Sequence, residues 1–143
     1  MEDRQVAAED RTLFGEGRYP DTGPLAVLAR LAFLASILAI GVAAFLPQRV
    51  VPQFVRSHYL EHFAAFYVAA LFGLAAMPRT QLGRIGGGYM VFASILEAMH
   101  LMSGAPPRPL LENWVADMGG VAAAFAPVLA VGFRRRFAPR PRP

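Results

Sequence analysis

The chain has 143 residues, of which 55% are hydrophobic and 17% charged, and it contains no cysteine. Average soluble domains carry roughly 25% charged residues, and a domain this small needs a larger polar shell than this composition supplies. The missing cysteine excludes disulfides and thiol nucleophiles, and because all 14 basic residues are Arg, lysine Schiff bases and P-loops are excluded too.

The net charge of +4 is unevenly spread. Residues 1–24 hold six acids and three arginines, whereas residues 134–143 hold five arginines and no acid. Arginines placed directly behind an apolar helix anchor it at anionic lipid and set its orientation. Membrane lipids, not nucleic acid, are therefore the expected partners.

In chain order, residues 1–24 are polar, acidic and rich in Gly and Pro, and read as a disordered tail. They lack the basic start and short apolar run of a signal peptide. Four apolar spans follow, Leu25 to Leu46, Leu60 to Met77, Ile85 to Met102 and Asn113 to Phe133. They predict an all-α membrane protein, a four-transmembrane-helix bundle over residues 25–133, with an Arg/Pro-rich tail at 134–143. Pro47 and Pro78 stop the first two spans, and Gly86, Gly87 and Gly88 form the entry to the third.

An even number of spans puts both termini on one side. That side carries Arg79, Arg84 and the five tail arginines, against Arg49, Arg56 and Arg108 on the other. The positive-inside rule then makes both termini cytoplasmic. Small residues recur every four positions at Ala116, Gly120 and Ala124, and at Gly83 and Gly87, which permits close helix approach.

With this topology, the ionisable residues of spans two to four gather at the external helix ends. Glu61 and His62 open the second span. Glu97 and His100 lie near the exit of the third, Arg108 falls in the following short loop, and Glu112, Asn113 and Asp117 open the fourth. The cytoplasmic halves of the same spans hold no ionisable residue, which weakens any proton or ion pathway. Glu97 and His100 share a helix face at i, i+3, and acids at such depth normally face a bundle interior with a partner. Arg108 is the natural counter-ion. A structural bridge fixing helix register is the plain alternative to a site.

Glu61 and His62 stand about 100° apart on their helix, so only one points squarely inward. The apolar-aromatic run behind His62, with Phe66 four residues on, assigns it the inward face and Glu61 the headgroup side.

His58 with His62, and Glu97 with His100, have metal-compatible spacings, and Asp117 adds an oxygen. Arg108 nearby would repel a dication, so no metal and no cofactor is expected. No serine has a G-x-S-x-G context. General acid–base work by Glu97 with His62 or His100 is the catalytic arrangement that remains.

Residues 56–133 resemble the VanZ-like family of small bacterial membrane proteins. His62-Phe63-Ala64-Ala65-Phe66-Tyr67 is similar to the family's histidine entry to a helix. Ile95-Leu96-Glu97-Ala98-Met99-His100 resembles its apolar-Glu-x-x-Gln element, with His100 in place of Gln. Arg108, Asn113, Asp117 and Gly120 follow its Arg, Asp-x3-Asn-x2-Gly run, with acid and amide exchanged. The resemblance implies a multi-pass protein of the bacterial inner membrane and, for the family's namesake, low-level teicoplanin resistance. The expected function is binding or modifying a polar or lipid-linked ligand in an outward-facing pocket of His62, Glu97, His100, Arg108, Asn113 and Asp117. The alternative is a non-catalytic accessory subunit docking with other membrane subunits.

Overall fold

Apolar runs that cannot hydrogen-bond to lipid satisfy their backbones internally, and the described residues do so in four helices. The computed structural model describes residues 22–47, 50, 57–105 and 107–137, without the side chains of Pro107 and Arg108. Residues 1–21 of the acidic tail, Arg49, Arg56 and the last six residues lie outside the described residues, while Pro24, placed in the tail by sequence, begins the first helix. All four helices are long and apolar enough to cross a membrane, and no strand occurs among the described residues.

Helix α1 runs Pro24–Phe45. Pro24 sits at its start, where a missing N–H is harmless, and the helix closes with Leu46 N–H donating to the Ala43 carbonyl. Helix α2 runs His58–Ala76 and is capped by Ser57, whose hydroxyl accepts from Leu60 N–H at 3.4 Å. That cap draws His58 and Tyr59 into the first helical turn, ahead of the predicted span.

Helix α3 runs Leu82–Met102, so the three glycines lie inside it and not at its entrance. Glycine is a poor helix former in water, but in lipid the backbone has no other partner. The helix ends in a Schellman turn. Gly104, at φ 91°, donates to the Leu101 carbonyl, and Ala105 donates to that of His100. Helix α4 runs Pro107–Arg136 and has 30 residues, about 45 Å at the α-helical rise. It begins six residues before the predicted span, so Arg108 belongs to its first turn and not to a loop. Prolines suit that turn, where backbone donors are unpaired in any case.

Packing is closest between α2 and α4, and Gly120 is the reason. A Cβ there would stand 2.3 Å from the Phe63 carbonyl oxygen and 2.9 Å from Tyr67 N, so the two backbones touch. Ala124, one turn on, is buried in the same seam. The expected small-residue row on the fourth helix is thus a contact surface. The row on the third is not: Gly83 and Gly87 face open space, and it is Gly86 that meets the Phe125 ring of α4.

The core centres on Phe66, Ala69, Ala70, Tyr89, Ala93 and Phe125. Tyr89 donates to the Ala69 carbonyl at 2.5 Å, passing over Gly73, where a Cβ would lie 2.8 Å from its hydroxyl. Helix α1 packs Phe33, Ile37, Ile40 and Ala44 on this core but contains no buried residue itself.

Candidate functional site: a buried histidine–carboxylate cluster

Four ionisable side chains meet at the end of the bundle where α2 starts, α3 finishes and α4 starts. Phe66 is buried, which turns the face it shares with His62 inward, toward α4. His62 Nδ1 lies 2.9 Å from Asp117 Oδ1, close enough for one proton to bridge them. Glu97 joins from α3. One ligating atom from each of His62, Glu97 and Asp117 can be chosen so that all lie within 4.8 Å of one another. Asp117 is 1% exposed, Asn113 6% and Glu97 8%, whereas His62 keeps a partly open edge.

His100 completes the cluster from a different direction. Its Nε2 donates to the Ala44 carbonyl at 2.8 Å, and its Nδ1 lies 3.5 Å from Glu97 Oε2, an ion-pair distance without hydrogen-bond geometry. The Schellman turn after Met102 fixes the last turn of α3, so Glu97 and His100 are held at a defined height.

Among the described residues, three buried polar atoms have no hydrogen-bond partner: Glu97 Oε2, Asn113 Oδ1 and Asp117 Oδ2. Buried oxygens are normally paired, and each one left unmade costs about 1–3 kcal/mol, more for a charged group. The three atoms come from α3 and α4, with Asn113 and Asp117 one turn apart on α4.

Around the cluster, the helices are cross-linked by polar pairs. The Tyr59 hydroxyl donates to Glu112, linking α2 to α4, and Trp114 Nε1 donates to Ser94 Oγ at 3.1 Å, linking α4 to α3. His58 lies edge-on to His62, with ring centroids 4.6 Å apart. Glu61 is half-buried and stands outside the three-residue group. A shallow, open depression of about 250 Å3 lies on the α3–α4 seam, lined by Glu97, Ala98, Leu101, Leu110, Leu111 and Trp114.

Of the six residues expected from sequence, His62, Glu97 and Asp117 converge directly. His100 touches Glu97 at the margin, and Asn113 stands one turn before Asp117, buried like it. The Arg108 side chain lies outside the described residues. Sequence reasoning missed the Ala44 carbonyl, because a backbone acceptor on an alanine leaves no mark in composition. It also passed over Ser94, weighing it only as a nucleophile, although Trp114 needs an acceptor.

The arrangement defines a class: a multi-pass helical membrane protein with a buried histidine–carboxylate cluster at one end of its bundle. No family model, curated protein or solved structure matches the chain.

Proposed function

We propose that this is a VanZ-like envelope protein of the bacterial inner membrane that binds an amphipathic, lipid-linked ligand. The ligand's polar head meets the His62–Glu97–Asp117 cluster, and its apolar chain lies in the α3–α4 depression. One observation carries the reading: Glu97 belongs to both places. It is a member of the buried cluster and lines a depression whose other walls are Ala98, Leu101, Leu110, Leu111 and Trp114. An apolar trough whose wall includes the residue that carries a buried carboxylate suits a lipid better than a free solute.

The arginine distribution supports an outward-facing site, with Arg79, Arg84 and the tail arginines on the opposite side. The likeness of residues 56–133 to VanZ-like proteins supports an envelope role and a link to teicoplanin resistance. The His–carboxylate pairs are equipped for proton movement at a bound head group, so binding and modification draw on the same residues. A second reading, an accessory subunit, draws on α1. It contributes no buried residue and exposes Leu31, Leu34, Leu38, Val42 and Phe45.

The test is lipid analysis of protein purified in mild detergent. One lipid species enriched over bulk membrane, near one per chain, and lost in Glu97→Gln is the expected result. Lipid of bulk composition, unchanged by that substitution, refutes the reading. A stoichiometric protein partner in its place favours the subunit. Teicoplanin susceptibility of cells expressing wild type and Glu97→Gln checks the envelope role.

A further inference from the structure

We propose that His62, Glu97 and Asp117 form a binding site for a first-row divalent metal cation, with Asn113 Oδ1 as a fourth donor. Three features of the cluster lead there. The first is geometry. Ligands about 2.1 Å from a common ion stand ~3.4 Å apart in a tetrahedron, and here the three ligating atoms lie within 4.8 Å of one another. Small rotations of the carboxylate side chains close the difference.

The second is the set of unpartnered atoms. Glu97 Oε2, Asp117 Oδ2 and Asn113 Oδ1 are all buried acceptors, and none has a donor. Three buried acceptor oxygens in one place can be satisfied together by a single cation, which offers no competing acceptor of its own. They come from residues 8%, 1% and 6% exposed, so bulk water is not at hand to serve them.

The third is charge. Ionised together, two carboxylates buried side by side would repel, and lipid offers little screening. A dication neutralises both and leaves His62 as a neutral ligand. Arg108, whose charge argues against a dication at the level of sequence, is a single positive charge against two negative ones. One imidazole nitrogen with carboxylate and amide oxygens is a donor set for Zn2+, Mn2+ or Fe2+, without the thiolates that select softer ions.

His100 is excluded from the ligand set. Its Nε2 is engaged by Ala44, which makes it an orienting neighbour of Glu97. Three or four protein ligands leave a coordination position open, as in sites where a metal meets a ligand's oxygen. The cation does not depend on the lipid reading, since its donors all come from the chain.

The experiment uses full-length protein in detergent, exchanged to remove lipid and stripped with EDTA. Zn2+ and Mn2+ are titrated calorimetrically, and Co2+ is added for its visible absorption bands. The proposal expects one ion per chain and Co2+ bands of nitrogen–oxygen coordination. It also expects Zn2+ affinity to fall about tenfold or more in Asp117→Asn and in His62→Ala, and to change little in Glu61→Gln, which lies outside the donor set. Zn2+ should raise the melting temperature of the wild type and not that of Asp117→Asn. Asp117→Asn keeps the side chain's shape, and its own melt reports whether it folds. If His62→Ala does not fold, Asn113→Ala takes its place with a smaller expected loss. Stripped wild type that binds neither ion more tightly than about 1 mM overturns the proposal. So does binding that Asp117→Asn leaves unchanged.

Discussion

His100 Nε2 donates to the backbone carbonyl of Ala44 across 2.8 Å. Ala44 lies in the last turn of α1, where carbonyls have no partner within the helix, so the imidazole closes an acceptor that lipid cannot serve. The other nitrogen of the same ring faces Glu97 at 3.5 Å. One side chain thus joins the outermost helix to the buried cluster. Because α1 buries no residue of its own, its C-terminal end depends on this bond more than its apolar length suggests.

Exchanging His100 for Phe keeps a ring against Phe45 and deletes the donor. The loss should be about 1 kcal/mol, felt mainly as opening of the α1 terminus. The chain has no native cysteine, so Ala44→Cys, at a half-buried position packed on the core, provides a clean reporter. Its maleimide labelling should speed up about fivefold in the His100→Phe background. Unchanged labelling would mean that apolar packing alone holds α1.

The glycines of α3 and α4 should behave oppositely on substitution. Gly120→Ala drives a Cβ into the Phe63 and Tyr67 backbones, which cannot swing aside, and should cost about 3 kcal/mol or more. Gly119→Ala meets only the Phe63 ring at 3.4 Å and should be mild. Gly83→Ala meets nothing within 4 Å and should be neutral or stabilising by up to ~1 kcal/mol through helix propensity. Melting in detergent ranks the three.

His62 and Asp117 form a pair whose carboxylate is fully buried and whose imidazole is largely so, so single removals should be worse than joint removal. Asp117→Leu strands an imidazole and His62→Leu strands a carboxylate, each at about 3 kcal/mol or more. The double leucine variant should recover most of that loss, because apolar replacement of a buried pair is well tolerated. It should also lose all ligand binding. Glu61→Gln, outside the cluster, should leave both properties near wild type. A double variant no more stable than the singles would count against a simple pair.

Reporter fusions after Arg136 and between Pro78 and Gly83 should read cytoplasmic, and fusions between Gly104 and Pro109 external. An external C-terminus would invert the cluster and place it on the cytoplasmic leaflet.

The four spans were legible because apolar runs of this length rarely occur outside membrane-crossing helices. Their boundaries were harder to read. The triple glycine of α3 and the prolines before Asp117 carry loop signals calibrated in water. In lipid the unpaired backbone is the larger penalty, so α3 runs on through its glycines, and α4 starts at Pro107, where a missing N–H costs nothing. The convergence of His62, Glu97 and Asp117 could be anticipated, since burial of charge in hydrocarbon demands partners. The Gly83–Gly87 row misled because spacing reveals a face, not which neighbour it meets. Gly86, one position away, has the contact.

Glu97 lies five residues before the end of α3 at Met102, about 7–8 Å along the axis, or roughly a quarter of a ~30 Å core. An ion arriving from that end therefore crosses only a small part of the transmembrane field. A potential of 100 mV acts on each elementary charge with about 0.6 kcal/mol there, against roughly 2.3 for a full crossing. Cation occupancy at this depth answers mainly to concentration and pH on the near side of the membrane, and little to voltage.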